Sequence, residues 1–334
     1  MKKTLVALAA LAVVGAASAQ ATLTGKVGFA YQGYSAKAMA AVATPTDRTQ
    51  YAAAVVAAPA VAAVEMTGLA MTDATFNLGM TEDLGGGLTA AGSIGFDANS
   101  AQFGQPQNRR NTSLSVAGGF GTVAFAQTRT TTLLQSSLLS PAANAWGSSD
   151  ADIISRSNTD QLAYTSPAIG GIKLSAGVNE MGTDGNETPS INGVGLGASY
   201  SGGPLSLAVA YKAISAGYKA LTTGVRTNHL EAMASYDLGV AKVAVGFDGA
   251  RANVLESATE GNAVSLSASM PLGAQAVAGF DYATRDANTF AQYAIQYNLS
   301  KRTALNGSFG NLSNTKVDNV TTGNMYRIAI WHTF

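Results

Sequence analysis

The feature that most constrains this chain is a two-residue alternation of apolar and polar side chains, repeated many times. Leu205, Leu207, Val209 and Tyr211 share one parity; Ser206, Ala208, Ala210 and Lys212 share the other. Val264, Leu266, Ala268 and Met270 alternate with Ser265, Ser267 and Ser269. Tyr293, Ile295, Tyr297 and Leu299 alternate with Gln292, Gln296 and Asn298, and Ile172, Leu174 and Val178 with Lys173, Ser175 and Asn179. Successive side chains of an extended strand point to opposite faces, so each segment reads as a strand with one apolar face. Charged residues make up only 12% of the chain, about half the soluble average.

Short turns separate these strands at regular intervals. They read Glu82-Asp83-Leu84-Gly85-Gly86-Gly87, Gly118-Gly119-Phe120-Gly121, Ser166-Pro167-Ala168-Ile169-Gly170-Gly171, Ser201-Gly202-Gly203-Pro204, Asp237-Leu238-Gly239, Pro271-Leu272-Gly273 and Ser300-Lys301-Arg302. Two strands of about 10 residues, a tight turn and one longer loop account for that period. Seven turns make seven hairpins, and the terminal segments bring the expectation to sixteen antiparallel strands. The interval between Phe120 and Ala168 is the longest. It holds a polar segment, 128–160, too long for a hairpin loop, and long loops of that kind are usually functional. A second insertion, the Ala-rich stretch 34–71, follows the first strand.

The N-terminus reads as a secretory signal peptide, 1–19. Lys2 and Lys3 are its positive region, 5–17 its short apolar run, and Ala17-Ser18-Ala19 its cleavage site. A single domain, 20–334, follows. It has no cysteine, which suits an oxidising compartment and excludes disulfides and thiolate metal sites. Twenty basic residues balance twenty acidic ones, so nucleic acid is not an expected partner. The other apolar stretch, 52–64, contains Pro59 and is shorter than the roughly 20 residues a spanning helix needs.

A soluble β-sandwich and a closed membrane barrel both fit an exported, alternating chain. The last strand separates them. Tyr326, Ile328, Ile330, His332 and Phe334 share one parity, and an apolar, aromatic edge of that kind would aggregate in water. In lipid it is expected to close a barrel, with Phe334 pairing against the strand 21–32. Tyr200, Tyr211, Tyr236, Tyr282, Tyr297 and Tyr326 lie near strand ends on the apolar parity, as aromatic girdles require.

Glu82-Asp83-Leu84-Gly85-Gly86-Gly87-Leu88, Ser166-Pro167 with Gly170-Gly171, and Tyr326-Arg327-Ile328 through His332-Thr333-Phe334 resemble motifs of the general porins of β-proteobacteria. The resemblance covers essentially all of 20–334. It implies a homotrimer of sixteen-stranded barrels in outer-membrane lipid, each with a third loop folded into the lumen. It further implies passive passage of small hydrophilic solutes and ions, with no cofactor.

A pore constriction needs cations facing carboxylates, because a transverse field orders water and penalises apolar solutes. Lys26 is out of phase with Leu23, Gly25, Val27, Phe29 and Tyr31, so parity points it inward. Arg110 stands six residues before Val116, the spacing of the family's pore arginine; Arg129 and Arg156 fall near two other family arginines. Asp150 and Asp152, in the long third loop, are the opposing acids. Four cations against two carboxylates predict a weak preference for anions. The alternatives are a substrate-selective channel and a structural or adhesive surface barrel with a closed lumen. An enzyme is not expected: the two histidines, His229 and His332, accompany no nucleophile motif, and no metal site is read.

Overall fold

The computed structural model describes residues 20–36, 64–97, 108–129, 132–141, 153, 158–180, 193–214, 228–249, 251–252, 259–286, 288–313 and 323–334. Sixteen strands form one closed antiparallel barrel. They are β1 (Gln20–Ala36), β2 (Val64–Gly85), β3 (Leu88–Asp97), β4 (Asn108–Gly118), β5 (Gly121–Arg129), β6 (Asn158–Thr165), β7 (Ile172–Glu180), β8 (Gly193–Gly202), β9 (Leu205–Ile214), β10 (Asn228–Asp237), β11 (Lys242–Asp248), β14 (Ala263–Pro271), β15 (Ala276–Arg285), β16 (Asn288–Asn298), β17 (Thr303–Ser313) and β18 (Gly323–Thr333). The remaining two, β12 (Arg251–Ala252) and β13 (Thr259–Glu260), pair as a small ribbon between β11 and β14. A one-turn helix, α1 (Leu133–Ser136), lies between β5 and β6.

Six of the seven anticipated turn centres fall in the short connections at one end of the barrel, and the seventh, Asp83, is the last but two residue of β2, paired with Thr89 just before the turn at Gly86-Gly87. Gly85, Gly86 and Gly87 have φ of 79°, 63° and 80°, a region that side chains with a Cβ rarely adopt, which is why glycines fill the first turn. The long insertions are shorter than sequence suggested. Strand pairing runs on to Ala36↔Val64, so the ends of the expected 34–71 insertion are β-ladder; 37–63 lies outside the described residues. Likewise Arg129 pairs with Asn158, which takes both ends of 128–160 into strands.

Burial is inside-out relative to a soluble protein. Ile328 is 66% exposed, Tyr293 57% and Phe29 56%, all on the outer face, whereas Asp281 and Gln292 are fully buried on the inner one. An outer face this apolar is compatible with lipid, and a closed barrel leaves no unpaired strand edge within it. Among the described residues no helix is long and apolar enough to cross a membrane, so spanning is by strands. Tyr211, Tyr236, Tyr282, Tyr297 and Tyr326 face outward and are well exposed; Tyr200 is half-buried.

The barrel closes between β1 and β18. Their register runs from Lys26↔Thr333 to Ala36↔Gly323. Beyond it, the Gly25 N–H donates to the Phe334 carbonyl and the Phe334 N–H to the Gly25 carbonyl, both at 3.0 Å. Two aromatic rings of the C-terminal segment lie over glycines of β1, Phe334 over Gly25 and Tyr326 over Gly33; a Cβ at either glycine would collide with the ring. Such ring-over-glycine pairs fix register, since a one-residue slip would turn the ring to the other face. Deleting Phe334 is therefore expected to lower the yield of folded barrel sharply, read as the heat-modifiable band on a gel. An unchanged yield would show that the remaining β1–β18 ladder suffices.

Candidate pore constriction

The segment after β5 turns inward and lies against the inner wall. Thr132 caps α1, its Oγ1 accepting from the Gln135 N–H at 3.1 Å. Leu134, Leu138 and Ile153 pack with Ala263, Ala283, Phe290, Leu312 and Met325, and Tyr34 flanks the group. This is an apolar cluster inside a polar lumen, and each large aliphatic side chain buried in it contributes roughly 1.5–3 kcal/mol. Two inner-wall glycines allow the loop to come close. A Cβ at Gly246 would strike Ser137, and one at Gly279 would strike Ser140 and Pro141.

Polar anchors finish the attachment. Glu231 of β10 accepts the Leu133 N–H through Oε2 at 3.0 Å. Ser137 and Ser265 hydroxyls meet at 2.5 Å. Asp281 of β15 accepts the Leu139 and Ser140 N–H groups, both at 3.0 Å, and the Gln292 amide at 2.7 Å. The Ser267 hydroxyl also donates to Asp281. At the far end of the loop, Arg285 donates from Nε to the Ile153 carbonyl at 3.0 Å while its other nitrogens hold Gly261 O and Asp248 Oδ2. Side chains of β10, β14 and β15 thus fix the loop where a lumen is narrowed.

Two charged groups stand out on the inner wall. In the first, Lys26 pairs with Asp73 at 3.1 Å and lies 4.4 Å from the Trp331 ring centroid. Asp73 also lies within electrostatic reach of Arg327. In the second, Lys212 Nζ and His229 Nε2 contact Glu231 Oε1 at 2.5 and 2.9 Å, and Arg285 binds Asp248 at 2.6 Å. His229, Glu231 and Asp248 bring three potential ligand atoms within 4.8 Å of one another. The set does not fit a divalent ion, because Lys212 and Arg285 already neutralise the two carboxylates. Cations and carboxylates set against each other around a lumen order water and orient dipolar solutes.

Of the residues singled out from sequence, Lys26 lies on the inner wall. The Arg110 backbone pairs with Gly95, past an irregularity at Asn111, and the Arg129 backbone pairs with Asn158; the side chains of both lie outside the described residues. Arg156, Asp150 and Asp152 also lie outside them. Sequence reasoning missed Asp73, Lys212, Glu231, Asp248, Asp281, Arg285 and Arg327. Lys212, Glu231, Asp281 and Arg327 share one signal, a charge within a strand at the parity opposite the apolar row; Asp248 and Arg285 are the last residues of β11 and β15, and Asp73 follows an irregularity in β2. His332, by contrast, is on the outer face, its Nδ1 2.9 Å from Thr303 Oγ1.

Comparison with known proteins agrees with this geometry. The model of the Gram-negative porin family matches residues 4–317. Outer membrane porin protein 32 of Delftia acidovorans is 30% identical over 347 residues, spanning 94% of this chain and 90% of the relative. Among solved structures, an anion-selective porin from Comamonas acidovorans superposes with a TM-score of 0.65 at 19% identity, covering 95% of this chain and 100% of that one. A mutant of the Rhodopseudomonas blastica porin superposes with a TM-score of 0.62 at 15% identity, covering 94% and 100%. The barrel, its inward loop and its charged wall are those of an outer-membrane channel for passive diffusion of small hydrophilic solutes and ions, and the chain belongs to the Gram-negative porin family.

Proposed function

We propose that this porin prefers anions weakly, works as a homotrimer after loss of residues 1–19, and carries no catalytic activity. The anion preference rests on the count of candidate constriction charges, which the pairing on the inner wall reduces without reversing. Lys26 stands against Asp73, so its charge is compensated and it drops out of the tally of four cations against two acids. The remaining candidates from sequence, Arg110, Arg129 and Arg156 against Asp150 and Asp152, number one cation in excess. A small excess at the narrowest point outweighs charges at the mouth, because salt screens beyond about 8 Å. The anion selectivity named for the Comamonas acidovorans porin supports the same sign.

The test is a reversal potential across a steep KCl gradient, for the parent and for Arg110→Ala. The parent is expected to pass chloride more readily than potassium, and the variant to lose much of that bias. A cation-preferring parent would overturn the sign, and an unmoved variant would take Arg110 out of the constriction.

A further inference from the structure

Among the described residues, the charges that are buried or ion-paired on the lumen wall fall into equal sets. Lys26, Lys212, Arg285 and Arg327 are the cations; Asp73, Glu231, Asp248 and Asp281 are the carboxylates. Their formal charges cancel. One titratable side chain remains among them, His229 of β10. Its cross-strand partner on β9 is Lys212. Its Nε2 lies 2.9 Å from Glu231 Oε1 and 3.8 Å from Asp248 Oδ1 of β11. Arg285 of β15 occupies the other oxygen of Asp248, and the Leu133 N–H of the loop occupies the other oxygen of Glu231. The His229 side chain keeps 15% of its surface exposed, so it is not sealed from the lumen.

We propose that His229 is a selectivity-determining residue of the pore: its protonation adds one positive charge to a balanced wall, at the anchor of the constriction loop, and moves permeation toward anions as pH falls. Histidine is the side chain whose ordinary charge change falls between pH 5 and 8, whereas lysine, arginine and carboxylates ordinarily titrate outside that range. Nε2 faces two carboxylate oxygens and donates to Glu231, so the added proton goes to Nδ1, and the cationic ring meets compensating charge. Low-dielectric walls focus the field of a single charge along the pore. His332 does not compete, because it lies on the outer face, bonded to Thr303. The inference rests on the channel reading and not on the sign of preference proposed above.

The experiment compares reversal potentials at low salt, at about pH 8 and about pH 5.5, the window in which histidine changes charge. The channels are the parent, His229→Gln, His229→Arg and His332→Gln. On acidification the parental anion-to-cation permeability ratio is expected to rise by roughly twofold. His229→Gln should be flat at the parent's alkaline value, and His229→Arg flat at its acidic one. His332→Gln should behave as the parent does. A pH response surviving in His229→Gln would overturn the proposal, and so would a His229→Arg channel that matches the parent at the higher pH. Should His229→Gln not fold, His229→Asn and His229→Arg decide by the same two criteria. A parent that prefers cations throughout, yet shifts toward anions in acid, would support His229 while overturning the proposed preference.

Discussion

Removing residues 133–140 and joining the ends with a short glycine linker is expected to raise single-channel conductance, by roughly a doubling or more, because the narrowest cross-section limits flow. That segment carries α1, the apolar contacts of Leu134 and Leu138, and the N–H groups held by Glu231 and Asp281. All of these lie inside the barrel, so their removal widens the lumen and leaves the strand ladders untouched. Ion selectivity should weaken in the same variant, since solutes then pass farther from the wall charges than a Debye length of about 8 Å allows those charges to act. The measurement is a histogram of single-channel steps in planar bilayers. A folded variant conducting as the parent does would place the limiting cross-section elsewhere.

Much of the barrel was legible because it depends on period and punctuation. Phe120, Ala168, Gly203, Leu238, Leu272 and Lys301 sit in turns at one end, and Asp83 ends a strand beside the first of them, since tight turns need glycine, proline and small polar residues whatever surrounds them. The outward rows were legible because lipid demands an apolar side chain at every second position of β1, β9, β14, β16 and β18.

Parity counting fails at two places, both irregularities. In β2, Leu69 and Met71 face outward at odd numbers, while Phe76, Leu78 and Met80 do so at even ones. The register jumps from Gly28↔Asp73 to Phe29↔Met71, and Thr72 is the extra residue. That jump puts Asp73 beside Lys26, a pairing that counting residues could not supply. In β4, Asn111 at a φ of 39° is the extra residue, and it shifts Arg110 out of phase with Val116. The loop anchors were illegible for a different reason. Glu231 and Asp281 announce themselves as mid-strand charges and Arg285 as a charge at a strand end, yet each loop partner is more than 90 positions away in the sequence. A lone glutamate two residues after His229 reads as a solvated charge until the loop is seen to fold onto it.

Asp281→Ala is expected to be the most damaging single substitution in the lumen. The carboxylate is fully buried and receives the Leu139 and Ser140 N–H groups, the Ser267 hydroxyl and the Gln292 amide. Leu139 retains a second acceptor, Ser267 Oγ at 2.7 Å, but alanine removes the oxygens to which Ser140 N–H and Gln292 Nε2 donate. Hydrogen bonds to a charged group contribute about 1.5–3 kcal/mol each, so a loss of about 3 kcal/mol is expected after partial rescue by water. Because two of the donors belong to the loop, the loss falls on its attachment more than on the strands. The variant should therefore show more flicker between open levels, together with a modestly lower unfolding temperature. Asp281→Asn separates charge from geometry. Its carbonyl oxygen can accept both loop N–H groups, and its new amino group then faces Gln292. The Gln292 Oε1 is buried with no partner, so that amide can turn over and accept. The asparagine channel is accordingly expected to be nearly as quiet as the parent, and the alanine channel noisy. Equal quiet in all three would mean that the apolar cluster around Leu134 and Phe290 holds the loop without Asp281. Equal noise in both variants would assign the anchoring to the negative charge itself, not to the shape of the acceptor.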